Sequence, residues 1–372
     1  MLPKDKAEAL FNRIVLSLAP GIGPKLAQAL VAHFGSPEGV WAASVKELLQ
    51  VSRMTPPKAK ALKDPEILTR AEAELRFIAD NHIQTYFLTD DNYPQRLRLC
   101  NDAPVLLFGK GPASLDAGRT VAVIGTRKNT DYGQRLTEEL VEGLKEIPEL
   151  LVVSGLAYGI DAIAHKRAVK SGIPTLGVLA HGLDHIYPPG HKSLSLEMLQ
   201  NGGLLTEFTS GTNPDRSNFP VRNRIVAGLS DVTVVVESDK KGGAIITAML
   251  AASYNREVAA FPGRVYDTRS AGCNDLLQKN IAAMITSAND LLALMCWEAG
   301  TGKPAQTSLL FCDLQPEEQT IVAILQTKDS VHSDELFHHT GFPASYLAAT
   351  LLQLEMRGLV KTLPGKRYKL MR

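Results

Sequence analysis

Apolar positions change their spacing along this chain, and the changes divide it. From 81 to 298, short continuous apolar runs rich in β-branched residues recur at 121–124, 151–153, 174–179, 203–206, 232–236 and 257–261. Stretches long enough for helices separate them. Runs that are apolar throughout, alternating with helices, predict strands buried on both faces, hence a doubly wound, mainly parallel sheet of Rossmann-like α/β type. Ahead of it, 1–80 carries helical periodicity broken by Pro20-Gly21-Ile22-Gly23-Pro24, with a weaker echo at 48–59 that lacks the glycines. This predicts a small all-α helix-hairpin-helix (SAM-like) domain. Behind it, the small and turn-forming residues of 299–307 open a linker at 299–312. Amphipathic segments at 316–326, 333–340 and 345–357 follow, then two short runs around Pro364-Gly365. Three helices and a hairpin predict a winged helix-turn-helix over 313–372.

Composition adds limits. The chain has 372 residues, 45% of them hydrophobic, with 40 Lys+Arg against 39 Asp+Glu. A formal charge of +1 excludes a polycation that coats nucleic acid by bulk attraction, so any polyanion site must arise by placement. The last twenty residues hold six basic groups, among them Lys366, Arg367 and Lys369, against Glu355 alone. No apolar stretch approaches the ~18 residues of a membrane span and no signal-peptide pattern opens the chain, which predicts a cytoplasmic protein with no membrane partner. The four cysteines stand far apart, so neither a zinc site nor a disulfide framework is expected.

In doubly wound sheets ligands sit beyond the carboxyl ends of the strands. After the first run come Gly125, Thr126 and Arg127, a turn opening a helix whose amides, with the Arg fork, suit a phosphate. The second run ends in Ser154-Gly155-Leu156-Ala157-Tyr158-Gly159-Ile160-Asp161, with His165 four residues on. Asp161 and His165 read best as a structural hydrogen-bonded pair. Neither turn carries the dinucleotide fingerprint or a Walker lysine, so no cofactor is expected. Phe219 precedes Arg222, Asn223 and Arg224 at a helix start, and Lys241, Gly242 and Gly243 follow the fifth run. Arg127, Arg222, Arg224 and Lys241 thus converge on one predicted rim.

The succession from Ser154 to His165, then Gly182-Leu183-Asp184-x-Ile186-Tyr187-Pro188, Phe219-Pro220-x-Arg222-Asn223-Arg224-Ile225 and Pro262-Gly263, resembles the DNA-processing protein A family (DprA, also called Smf). Upstream, Tyr93-Pro94-x-x-Leu97 and Ala103-Pro104-Val105-Leu106 fit the family's lead into its Rossmann-like domain. Gly125-Thr126-Arg127 stands for the family's Gly-Ser-Arg, Gly242-Gly243-Ala244 for its Ser-Gly-Ser and Gly272-Cys273-Asn274 for its Gly-Thr-Asn. The second change removes two hydroxyls and leaves backbone amides and Lys241 as the phosphate contacts of that loop. The resemblance implies a nonenzymatic protein that binds single-stranded DNA, forms a homodimer through its Rossmann-like domain, protects strands taken up in natural transformation and helps load RecA. It carries Arg127 and the Arg222-Asn223-Arg224 group over as DNA contacts.

Two other classes compete. Nucleoside-monophosphate phosphoribohydrolases share the fold class, but the Gly242-Gly243 loop lacks the preceding Pro and following Glu that such chemistry requires. A winged-helix transcriptional regulator is disfavoured by the third helix of 313–372, whose polar groups, Tyr346, Thr350, Gln353 and Arg357, are few for a base reader. That domain suits nonspecific DNA contact or protein contact.

Overall fold

The computed structural model describes residues 4–297, 314–357 and 359–371; the linker expected at 299–312 lies outside them. Six helices come first: α1 (Lys4–Leu18), α2 (Pro24–Phe34), α3 (Pro37–Ala42), α4 (Val45–Leu48), α5 (Pro56–Ala61) and α6 (Pro65–Asp80). The α1–α2 hairpin turns at Gly21, and the glycine-free second hairpin between α4 and α5 turns with Arg53 in the left-handed region.

The central domain runs β1 (Gln84–Phe87), α7 (Gln95–Arg98), β2 (Leu106–Lys110), β3 (Arg119–Ile124), α8 (Asp131–Gly143), β4 (Leu150–Ser154), α9 (Ile160–Lys170), β5 (Thr175–Val178), α10 (Lys192–Met198), β6 (Gly203–Thr206), α11 (Asn218–Leu229), β7 (Val232–Val235), α12 (Gly243–Ser253), β8 (Glu257–Ala260), α13 (Ala271–Gln278), β9 (Ala283–Met284) and α14 (Ala288–Met295). All six expected strands form, and β3 shows why continuous apolar runs encode them. Val121 and Val123 enter one core with Leu140 and Val152. Ala122 and Ile124 enter the other with Val153 and Ile225. Alternate side chains face opposite sides of the sheet, so a strand covered by helices on both must be apolar at every position. Each fully buried Val or Ile contributes roughly 1.5–3 kcal/mol.

The strand order is β1-β2-β6-β5-β4-β3-β7-β8-β9. β3 to β9 pair in parallel, whereas β1 and β2 form an antiparallel edge. β1, β2 and β9 extend the predicted sheet: β1 has mixed polarity as an edge strand, and β9 is two residues long, too short for any periodicity. The path from β3 runs outward to β6 and then returns to β7 on the other side of β3, so the crevice between β3 and β7 is the switch point where such sheets take ligands.

The helical domain is fused to the β1–β2 edge: Ile14, Leu30 and Ile78 share one core with Phe87, Leu106 and Phe108. Arg13 clasps Asp90 with bonds of 2.7 and 2.9 Å. The C-terminal domain comprises α15 (Pro316–Gln326), β10 (Val331–His332), α16 (Ser333–Thr340), α17 (Ala344–Met356), β11 (Val360–Leu363) and β12 (Arg367–Leu370), the expected winged helix with β10 added to its sheet. Its ribbon meets the amino-terminal ends of the central strands. Lys366 Nζ donates to Asn255 Oδ1 at 2.8 Å, the Gly365 amide donates to Glu257, and Arg367 Nη1 lies 3.6 Å from Asp231.

Candidate nucleic-acid interface

At the opposite, carboxyl-terminal rim, the β3–α8 turn rests on the start of α9. The Ile160 amide donates to the Thr126 carbonyl at 3.2 Å and the Thr126 amide to the Glu237 carbonyl at 2.7 Å. Gly159 sits at φ +79°, and a Cβ there would come within 2.2 Å of the Thr126 carbonyl oxygen. No other residue serves both needs. The start of α8 is closed by Glu237, which accepts from the Thr130 amide at 2.9 Å and from its hydroxyl. This anchored turn holds Arg127 and Lys128 exposed at the rim.

A cleft of ≈490 Å³ opens beside them, lined by Gly125, Thr126, Arg127, Lys128, Gly155, Phe219, Asn223, Gly242, Gly243 and Arg269 among others. Gly242 caps α12 without a side-chain hydrogen bond, leaving the first amides of that helix for a ligand. The Arg127 guanidinium lies 4.8 Å from the Phe219 ring centroid. A smaller recess behind Phe219 is walled by Tyr158, Tyr187 and His181. Phosphate donors and an aromatic face therefore share one crevice.

Arg222 is built into the wall between cleft and recess. It is 4% exposed, and its Nη1 donates to the carbonyls of Gly155 (2.6 Å) and Val178. A side chain on Gly155 would strike this guanidinium at 2.6 Å. Burial lowers the Arg222 pKa to about 10. Asp161, beside it, is raised by burial even though the Arg222 charge and the Gly155 and Ala157 amides act against that shift. The expected Asp161–His165 bond does not form: Asp161 serves those amides, and His165 Nδ1 lies 2.7 Å from Thr175 Oγ1. Arg224 departs from the expected rim altogether. It bonds Glu207 and the Asp102 carbonyl, because its place two residues after Arg222 turns it to another side of α11. Burial raises Glu207 to about 7 against the pull of Arg224.

Of the ten residues read as DNA contacts, Gly125, Thr126, Arg127, Phe219, Arg222, Asn223, Gly242 and Gly243 line the cleft. Lys241 is exposed on the adjoining loop, and Arg224 lies elsewhere. Lys128 and Arg269 were missed. Lys128 follows Arg127 directly, while Arg269 is delivered by the long loop after β8 and pairs with Asp239 at 3.1 Å; only the strand-end rule applied to that loop could have found it. Among the described residues no group of three or more His, Cys, Asp or Glu could hold a metal ion, and no helix is long and apolar enough to cross a membrane.

Comparison with known proteins places these features in a family. Residues 84–296 match the model of DNA recombination-mediator protein A, 304–366 a DprA winged helix domain and 13–64 a SAM-like helix-hairpin-helix tandem. The DNA processing protein DprA of Streptococcus pneumoniae is 40% identical over 209 residues, 56% of this chain and 73% of that protein. Protein Smf of Synechocystis is 32% identical over 391 residues, 95% of this chain and 96% of its own. The solved structure of the Streptococcus pneumoniae protein superposes with a TM-score of 0.66 at 31% identity, covering 76% of this chain and 97% of that one. A structure of DNA processing protein A from Helicobacter pylori, described for its single-stranded DNA binding mode, superposes with a TM-score of 0.53 at 31% identity over 58% of this chain and 97% of that one.

Proposed function

This chain belongs to the DNA-processing protein A (DprA/Smf) family, and on that premise we propose that it grips single-stranded DNA in the carboxyl-rim cleft as a nonenzymatic recombination mediator. The observation that carries this reading is the convergence, at the sheet's switch point, of the open amides of α12, the exposed cations Arg127 and Lys128, and the ring of Phe219. Amides and guanidinium forks hold phosphates without reading sequence, and an aromatic face stacks with any base. The binding of single-stranded DNA by the Helicobacter pylori relative points the same way.

The contacts we assign are Gly125, Thr126, Arg127, Phe219, Asn223, Gly242 and Gly243, with Lys241 reaching in from its loop and Arg222 shaping the wall. A nonenzymatic role is supported by the state of the rim's carboxylates: Asp161 serves backbone amides, Asp239 pairs with Arg269, and Glu237 holds Thr130, the residue that caps α8. In the cell the same grip serves to protect strands taken up in natural transformation and to hand them to RecA, with a homodimer formed through the Rossmann-like domain.

The test is titration of a labelled unstructured oligonucleotide at two salt concentrations with single-stranded and duplex competitors. Binding should weaken with salt as counterions are released, prefer the single strand, and fall at least tenfold, about 1.4 kcal/mol, in Arg127→Glu. Equal affinity of Arg127→Glu and the parent removes the cleft as the site. Release of free base from a nucleoside monophosphate would instead make the protein an enzyme.

A further inference from the structure

The loop joining β8 to α13 carries the most exposed aromatic ring among the described residues. Tyr266 is 98% exposed and its neighbour Val265 83%. The loop beneath them is firmly held. Asn274 clamps Gly263 from both sides, accepting from its amide at 3.1 Å and donating to its carbonyl at 3.0 Å. The Asp267 amide donates to the Arg264 carbonyl at 3.0 Å, closing a four-residue turn, and the Ser270 amide donates to the Asp267 carbonyl at 3.1 Å. Asp267 Oδ1 accepts from the Arg269 amide at 3.0 Å. Val265 and Tyr266 therefore occupy the two corner positions of an anchored turn, where Gly, Asn, Asp or Pro is the local preference. Two large apolar side chains at such corners gain nothing from the fold, which leaves them in water.

The surroundings say what such a tip faces. Arg264 is exposed at one foot of the turn, and Arg269, two residues beyond the other foot, lines the cleft. At the start of the same loop, the Pro262 carbonyl accepts from the hydroxyl of Tyr132 at 2.9 Å, and that ring is 46% exposed. An aromatic ring with an arginine on either side in the chain, on the loop that delivers Arg269 to the cleft, matches the repeat of a single strand, in which phosphates alternate with bases that seek a flat apolar partner.

We infer that Tyr266 is a stacking post for a base of the strand that leaves the cleft past Arg269, so the DNA path extends over the β8–α13 turn. The inference rests on the cleft binding single-stranded DNA. It predicts a length dependence: an oligothymidine of about four nucleotides fills the cleft alone, whereas one of about twelve also reaches the turn.

The experiment titrates both lengths with the parent, Tyr266→Ala, Tyr266→Trp and Arg127→Glu, and follows the oligomeric state of each by light scattering. We expect Tyr266→Ala to weaken the long oligonucleotide about fivefold or more and leave the short one within twofold, while Tyr266→Trp keeps the parent's affinity for both. Equal affinity of Tyr266→Ala and the parent for the long strand, with Arg127→Glu impaired, overturns the stacking post and leaves the cleft standing. Failure of the parent to bind either length overturns both. A change of oligomeric state in Tyr266→Ala with unaltered DNA affinity makes the turn a protein contact and overturns the inference.

Discussion

At the amino-terminal ends of β3, β7 and β8 each guanidinium meets an acceptor, whereas at the carboxyl ends of the same strands Arg127 stands exposed over the ring of Phe219. On the first rim Arg96 donates to both oxygens of Asp231 at 2.8 and 2.9 Å and to the carbonyls of Ala117 and Gly118. Arg256 donates to the Arg96 carbonyl at 2.7 Å. Arg367, from the winged helix, reaches Asp231 and bonds Ser330. Burial works to raise the Asp231 pKa, yet Arg96 and Arg367 hold it below the usual carboxylate range. On the second rim Arg127 and Lys128 have no ion pair among the described residues. A buried arginine whose acceptors the fold supplies is less available to a polyanion than an exposed one without an ion pair. Position along the sequence locates the rim, and pairing decides the role.

Arg222 tests this most severely, because it stands on the carboxyl-terminal rim with its donors already engaged. Arg222→Ala strips the donor from the Gly155 and Val178 carbonyls and the compensating charge from Asp161, so it should destabilise the fold by about 3–5 kcal/mol. Arg127→Ala, equally close to the cleft, should stay within about 0.5 kcal/mol of the parent. Urea unfolding of the two variants makes the comparison. Similar stabilities would show that burial does not separate the two arginines.

His165 extends the contrast to pH. Burial, reinforced by the charges of His191 and Arg222, lowers its pKa to about 3, against about 6.5 in the unfolded chain. Between those values the unfolded chain binds a proton that the folded one refuses. Stability therefore falls as pH drops below 6.5, by about 1.4 kcal/mol per unit from this group. Unfolding free energies from urea titrations at pH 7 and pH 5 should differ by roughly 2 kcal/mol less in His165→Gln than in the parent. Matching pH dependence in the two proteins would remove His165 from the acid limb.

Most of the fold was legible because its code is redundant. Six two-faced strands need six unbroken apolar runs, and each run is bounded by glycine or by a polar helix start. What escaped was what periodicity cannot encode: β9, with two residues, and the antiparallel edge β1–β2, whose alternation is diluted where the helical domain covers it. The cleft was legible as far as chain order sets it, through Gly125-Thr126-Arg127 and Gly242-Gly243. Chain order does not tell which arginine lines it, because tertiary partners decide. Arg222 and Arg224 look alike in sequence, yet one braces strand-end carbonyls and the other faces Glu207, 17 residues away in the chain. The partners of the basic C-terminal ribbon were hidden for the same reason, since Asp231, Glu257 and Asp329 that answer its donors belong to other segments of the chain.

That ribbon gives the smallest expected effect and the cleanest break between the rims. Arg367 counts the same as Arg127 in a tally of charges and lies in the most positive stretch of the chain, so a charge count alone ranks it as a DNA contact. Its Nε and Nη2 are bonded to Ser330 at 3.0 and 2.9 Å, and Asp231 faces its Nη1. A phosphate arriving there would have to displace acceptors already in place. Arg367→Ala should thus leave the affinity for an unstructured oligonucleotide within twofold, about 0.4 kcal/mol, and leave its salt dependence unchanged. Arg127→Glu, measured in the same series, should lower the slope of log affinity against log salt by about one phosphate contact. A loss in Arg367→Ala as large as that in Arg127→Glu would put the strand on both rims, and an arginine's existing partners would then say nothing about whether it meets DNA.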